Sequence, residues 1–305
     1  MPKTKLLRKL DRIERYATTS KLNRLIATPR KYIAGMLYRK VFYQKGSKGV
    51  IKKVRTFWGG EIEVLLPGSM DIYLSGGKTH LSEIRLSRFL IRELNENDTF
   101  LDIGAHIGFF SLLASEVVTQ GTVVSVEASP QTYSLLKRNT RFVPNIHSLH
   151  MAISDMNGEI ELLEFPVMYA EFNTIEAQQY EKEDWFNKMK PDPVNVPAMT
   201  GTDFLEKHQL HPHIIKIDVE GAEERVILGL LKFLSFNETK LVMEFASAER
   251  GNGSHVKAEE HLATIGYLPF KIGHGGETER LTMSTAAYVL QLGLDSDNIV
   301  YMKEK

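Results

Sequence analysis

Two groups of acidic residues set beside glycines are where this sequence could do chemistry. The first is Asp102-x-Gly104-x-x-x-Gly108, with His106 inside it, in the stretch TFLDIGAHIGFFSLLASEVV. The second is Asp218-Val-Glu220-Gly221, in HIIKIDVEGAEERVILGLL. Each follows a short apolar run and opens an amphipathic stretch. Strand, glycine turn and helix in that order begin a nucleotide-binding α/β unit. Glu127 closes a further apolar run, 25 positions after Asp102.

The sign of these groups selects the ligand. A dinucleotide turn spaces its glycines G-x-G-x-x-G so that backbone reaches a pyrophosphate. Here His106 stands where the second glycine belongs, and Asp102 would repel a phosphate at a helix terminus. S-Adenosylmethionine reverses the requirement, because it carries a sulfonium and an α-ammonium group and no phosphate. Asp102 then holds the ammonium directly or through water, the glycines admit the adenosine, and Glu127 accepts both ribose hydroxyls. By itself the turn also fits close helix packing, with Asp102 as a helix cap.

From Thr99 onward apolar runs alternate with helical patterns, which implies a parallel sheet covered by helices. Strands are predicted near Phe100–Ile103, Val123–Glu127, Ser148–Ile153, Ile214–Val219 and Lys240–Phe245. Helices are predicted near Gly108–Val117, Pro130–Asn139 and Ala222–Phe233, the second with Ser129 as its cap. GYLPFKIG and NIVYMK supply closing strands. Residues 155–200 break the rhythm and read as an insertion that could wall a substrate pocket. Its Tyr169, Asn173 and Trp185 could stack on and hydrogen-bond a sugar, or form the insertion's own core.

Three parts follow: 1–49, 50–98 and 99–305. The middle part reads as a β-hairpin over Val50–Pro67, a short strand in MDIYLSGGKTH, and a helix over Ser82–Leu94 capped by Ser82. Lys78, His80 and Glu83 fall in its loop and could cover a cofactor or simply be a polar surface. The first part carries helical stripes at Leu6, Leu7, Leu10 and Ile13, then at Leu22, Leu25 and Ile26, with Pro29 as a break.

The chain of 305 residues has no cysteine, which removes disulfides and thiolate metal sites. Its start lacks an apolar signal core, and no apolar run approaches the roughly 18 residues of a membrane span. A cytoplasmic protein is expected. Equal numbers of acids and bases hide an asymmetry, since residues 1–60 hold 17 Lys or Arg against 2 Asp or Glu. A basic arm suits an anionic partner, or the acidic body itself. His208, His211 and His213 fall at the entry of a strand, opposite the expected catalytic edge, and are read as turn histidines; no metal is expected.

The segments FLDIGAHIGFFSLLA, VVSVEASPQTYSLLKRN, AISDMNGEIEL, GTDFL, IIKIDVEGAEERVILG and LVMEF, in that order between Thr99 and Phe245, resemble the FkbM-type methyltransferases. Where that family commonly has Asn, this chain has His106. The resemblance implies a class I, Rossmann-like α/β sheet of seven strands, the last antiparallel, with helices on both faces and here a basic helical N-terminal extension. It implies S-adenosylmethionine as cofactor and methylation of a hydroxyl oxygen on a sugar, glycan or small metabolite. Asp102, Gly104, His106 and Gly108 would then lie on the methionine side, Glu127 at ribose, and Ser154 and Asp155 near adenine. Asp218 and Glu220 would stand at the methyl-transfer centre as candidate general bases, with His106 as a substitute base and Glu244 as a nearby carboxylate.

Two other classes compete. The basic arm would suit a ribose-oxygen RNA methyltransferase, although no RNA-binding module is present and base-amine chemistry lacks its Asp/Asn-Pro-Pro-aromatic loop. It would also suit a membrane-docking module, with Leu6, Leu10 and Ile13 facing an anionic leaflet. That arrangement is compatible with catalysis on a lipid-linked sugar at the inner membrane face. Glu223 and Glu224 are read as first-turn acids that favour the helix dipole.

Overall fold

Apolar runs that alternate with amphipathic helices build one central sheet with cover on both faces. The structure is a computed structural model and describes residues 1–38, 49–165, 173–175 and 191–304. Three helices lead, α1 (Lys3–Thr18), α2 (Lys21–Ala27) and α3 (Pro29–Leu37). The hairpin β1 (Val50–Arg55) and β2 (Glu61–Leu66) follows, then α4 (Met70–Ser75) and α5 (Leu81–Glu93). The core runs β3 (Thr99–Ile103), α6 (Phe109–Ser115), β4 (Thr122–Glu127), α7 (Pro130–Thr140), β5 (Ile146–His150), β6 (Ala152–Ser154) and β7 (Gly158–Glu164). It continues with β8 (Asp192–Thr200), α8 (Gly201–Lys207), β9 (Ile214–Ile217), α9 (Glu223–Phe236), β10 (Lys240–Ala246) and α10 (Gly253–Thr264). The end is β11 (Tyr267–Ile272), β12 (Thr278–Arg280), α11 (Thr285–Leu292) and β13 (Ser296–Lys303).

The main sheet has the order β12-β11-β13-β10-β9-β3-β4-β5. Strands β5, β4, β3, β9 and β10 are parallel, and β13 inserts antiparallel between β10 and β11. This is the expected Rossmann-like arrangement with one strand more than the seven predicted. The eighth, β12, arises because the chain reverses after β11 and pairs along the open edge.

Side chains alternate across the sheet and so divide the core. Phe100, Val123, Ile214 and Val242 face a cluster with α1, α5 and α6; Leu101, Val124, Ile215 and Leu241 face one with α8, α9 and α10. In α1, Leu6, Leu10 and Ile13 are buried in the first cluster, which corrects the reading that turned them toward lipid. Each such burial stabilises by about 2 kcal/mol. Arg88 of α5 clamps the helix in place, donating to Asp11 at 2.6 Å and to Glu14 at 2.7 Å.

Other expectations change in detail. MDIYLS is the helix α4 rather than a strand, closed by Gly76 in the left-handed region at φ 80°. Ser82 is inside α5 and buried, with its Oγ 2.7 Å from His80 Nδ1, and His80 takes the cap position. The run Ser148–Ile153 divides, because β6 leaves the main sheet and pairs with β8, which also pairs with β7. Residues 166–172 and 176–190, which include Tyr169 and Trp185, lie outside the described residues.

Candidate active site

Chain geometry at the carboxyl ends of β3, β4 and β9 creates a cavity of about 570 Å³, ordinary for a small-molecule site. Gly104 turns the chain at φ 75°, and a Cβ there would lie 1.8 Å from the carbonyl oxygen of Asp218. Only glycine lets β3 and β9 end this close together. Beyond it, His106 takes φ 51° and directs its backbone N–H to Glu127 Oε2 at 2.8 Å. Ser129 donates its N–H to Oε1 at 2.9 Å, so two loops hold the Glu127 carboxylate on the cavity wall. Burial pushes Glu127 up to about 7, against those two donors. Burial and the nearby Lys78 push the His106 imidazole down to about 4.

Asp102 is not on that wall. It is fully buried, accepts from Ser111 Oγ at 2.6 Å, and lies 3.5 Å from Lys216 Nζ. Ser125 donates to Ser111 at 2.8 Å and completes a polar chain between β3, β4 and α6. The sequence reading placed a methionine ammonium against this carboxylate; Asp102 instead braces Lys216 from behind. The carboxylate that reaches the cavity is Asp218, 3.1 Å from the same Lys216. Burial opposes the Asp218 charge, but Lys216, joined by Lys78 and His106, outweighs it and holds the carboxyl below its usual range.

Beside Asp218 stand Glu220 and Glu244, bridged by Arg250 at 3.0 and 3.8 Å. Ser296 Oγ donates to Glu244 at 2.5 Å. Burial and mutual repulsion raise Glu220 well above the ordinary carboxylate range, and burial with Asp218 raises Glu244 to about 7. Glu220 is held at φ 52°, an uncommon conformation for a residue with a Cβ. The device that holds it is Glu223, whose Oε1 accepts from the N–H groups of Val219 and Gly221, both at 3.3 Å. His255 Nε2 stands 3.3 Å from the other oxygen. Glu223 is therefore a buried brace for the loop, more than a first-turn acid; Glu224 pairs at the surface with Lys257.

The FkbM methyltransferase domain model matches residues 102–269, from the end of β3 into β11. The chain belongs to the FkbM methyltransferase family. Among relatives, hexuronic acid methyltransferase AglP of Haloferax volcanii is 22% identical over 179 residues, covering 58% of this chain and 68% of that protein. Methyltransferase 1 of Beauveria bassiana is 27% identical over 147 residues, 44% of this chain and 59% of its own length. A solved FkbM methyltransferase from Methylobacillus flagellatus aligns at 14% identity and TM-score 0.44, over 76% of this chain and 52% of that one.

This family's methyl donor is S-adenosylmethionine, and the residues present fit it. The FkbM glycine turn, Glu127 at the end of β4 and the wall of carboxylates suit a cation that carries a ribose diol. Bound there, S-adenosylmethionine would supply an electrophilic methyl group on its sulfonium.

The remaining expected residues are placed as follows. Gly108 is at φ 87° and packs against Leu136 at the start of α6. Ser154 is buried against Gly229 of α9, and Asp155 pairs with Arg225 at 2.8 Å, so neither lines the cavity. The wall there is Met151, Ala152 and Ile153, since the switch of β6 into the side sheet turns the next two residues away. Asn173 is on the wall and accepts from the N–H of Phe165 at 2.7 Å. Lys78, His80 and Glu83 also reach the cavity.

His213 accepts the N–H of Thr99 at 3.0 Å, while His208 and His211 rest on Phe204 and Phe233. Among the described residues, only Asp218, Glu220 and Glu244 gather as three metal-type donors, within 4.8 Å, and Lys216 and Arg250 already bring positive charge to them. Sequence reading missed Arg250, Ser296 and the role of Lys216. The one signal was a lysine inside the apolar strand IIKI.

Proposed function

We propose that this methyltransferase acts on a hydroxyl oxygen of a sugar or small metabolite, with the Glu220–Glu244 pair as general base. What carries the reading is that pair: two partly buried carboxylates sharing Arg250, both raised, on the cavity wall beside Asp218. A hydroxyl is a poor nucleophile until its proton leaves, and a base that titrates near neutrality is suited to accept it. A carboxylate acceptor would need no base and would meet like charge. Asp218, held ionised by Lys216, is better suited to a fixed negative charge beside the sulfonium than to proton transfer. The hexuronic acid specificity of AglP supports a sugar acceptor.

The test is calorimetry with S-adenosylmethionine and with NAD, followed by transfer of a tritiated methyl group to hexose and hexuronate glycosides. Expected are binding of the first ligand alone and a base-stable methyl ether. A base-labile methyl ester overturns the hydroxyl assignment.

We also infer peripheral docking on an anionic membrane through α2 and α3. Leu22 and Ile26 share one face of α2, and Ile33, Met36 and Leu37 one face of α3; all five are exposed. No Asp or Glu occurs between Glu14 and Glu61, so the charge complementarity is with an acidic lipid surface.

A further inference from the structure

The loop between α4 and α5 was readable as an ordinary polar surface, yet it forms one side of the cavity. Its backbone is pinned at several points. Gly76 donates to Ile72 O at 2.8 Å and accepts from Phe57 N at 2.9 Å, and Ser75 Oγ donates to Gly77 O at 2.7 Å. Gly77 packs beneath Ile13 of α1, where a Cβ would lie 3.2 Å from that side chain. A segment held this way presents the next residue, Lys78, in a fixed place.

Among the described residues, three cations line the cavity: Lys78, Lys216 and Arg250. Lys216 is clamped between Asp218 and Asp102, and Arg250 between Glu220 and Glu244. Lys78 pairs with Glu83, 2.8 Å away on its own side of the cavity, and both side chains are about one quarter exposed. The Lys78 charge also opposes the burial that raises the Asp71 carboxyl. Its charge lowers both His106, in the glycine turn, and Asp218, at the end of β9. Lys78, His106 and Asp218 line the same cavity, with the ammonium in electrostatic reach of the gap between those two strand ends.

With ribose at Glu127, that gap receives the amino-acid end of S-adenosylmethionine. That end carries an ammonium, which the acids of the cavity suit, and a carboxylate, which calls for a cation. We propose that Lys78 binds the methionine carboxylate of the cofactor, with Glu83 holding the lysine toward the cavity. The proposal rests on the S-adenosylmethionine reading of the site.

The experiment is calorimetric titration of the full-length wild type, Lys78→Ala and Lys78→Arg with S-adenosylmethionine, S-adenosylhomocysteine and decarboxylated S-adenosylmethionine. Removing one charged hydrogen bond should weaken the two carboxylate-bearing ligands about 10- to 100-fold in Lys78→Ala. The decarboxylated ligand should bind wild type and Lys78→Ala within about twofold, and Lys78→Arg should recover most of the lost affinity. Equal loss for all three ligands, or unchanged affinity for S-adenosylmethionine in Lys78→Ala, overturns the assignment. A wild type that binds none of the three overturns the cofactor site as well. Binding by the wild type with no carboxylate preference in the variants overturns Lys78 alone.

Discussion

Lys216 donates to Asp218 across 3.1 Å, so the carboxylate that ends β9 is a fixed negative charge. Asp102 completes the arrangement from behind at 3.5 Å. Removing the lysine leaves the buried Asp102 and the partly exposed Asp218 uncompensated. Lys216→Met is expected to lower stability by about 3 kcal/mol near pH 7.5. Asp218 is depressed in the folded protein, so its contribution is present above its unfolded value and is lost as pH falls through the folded one. The gap between wild type and variant should therefore narrow on acidification. Denaturant titrations at pH 7.5 and 3, on either side of the ordinary carboxyl value of 3.8, check this, and a gap that does not change with pH removes the charge argument.

Glu220 and Glu244 share one guanidinium, and that pair sets the expected rate profile. Protonated carboxylate cannot accept the acceptor's proton, so kcat should rise through about 7, the value to which Glu244 is raised. Glu244→Gln and Glu220→Gln should each lower kcat by about 10²–10⁴-fold. Affinity for S-adenosylmethionine should change less than about threefold. A normal pH–rate limb in both variants would move the base elsewhere.

Glu127 couples cofactor binding to pH. Ribose hydroxyls placed at Glu127 would donate to its ionised form, while burial holds the carboxyl up at about 7. Affinity for S-adenosylmethionine should thus increase from pH 6 to pH 8, with proton release measured by calorimetry in buffers of different ionisation enthalpy. Glu127→Gln should flatten that dependence and weaken binding about tenfold or more. The folded protein carries the opposite sign: a raised acid makes stability fall as pH rises from its unfolded value through about 7.

A methyl group on Gly104 has nowhere to go. Its Cβ would overlap the Asp218 carbonyl, and φ 75° is unfavourable for alanine. Gly104→Ala should lower stability by about 2–4 kcal/mol and displace Asp218 from its place. Thermal melts and cofactor titration of the same sample read both effects.

Membrane docking is tested on the whole chain, because Leu6, Leu10 and Ile13 belong to the core and deletion of α1 would open it. Wild type should sediment with vesicles of phosphatidylcholine containing about 30% phosphatidylserine and much less with pure phosphatidylcholine, since each basic residue near such a surface is worth about 1 kcal/mol. Ile33→Glu with Leu37→Glu should abolish the difference. Equal sedimentation of that variant ends the proposal.

The local order of this protein was written in its sequence: apolar runs of strand length, Ser129 before Pro130, and glycines where backbone must turn at positive φ. Those features depend on neighbours a few residues apart, so periodicity and turn chemistry reveal them. The partners of the acids were decided only in three dimensions. Asp102, Lys216 and Asp218 meet because β3 and β9 are adjacent in the sheet, although more than a hundred positions separate the first from the others. Arg250 reaches Glu220 and Glu244 from the turn after β10, and Lys78 arrives from a loop outside the family match. Burial, which moves Glu127 and Glu244 toward neutrality, belongs to the assembled cavity and to no stretch of sequence. Residue types determined that a cationic nucleoside could be held here, and packing decided which carboxylates line the cavity and which cations they pair with.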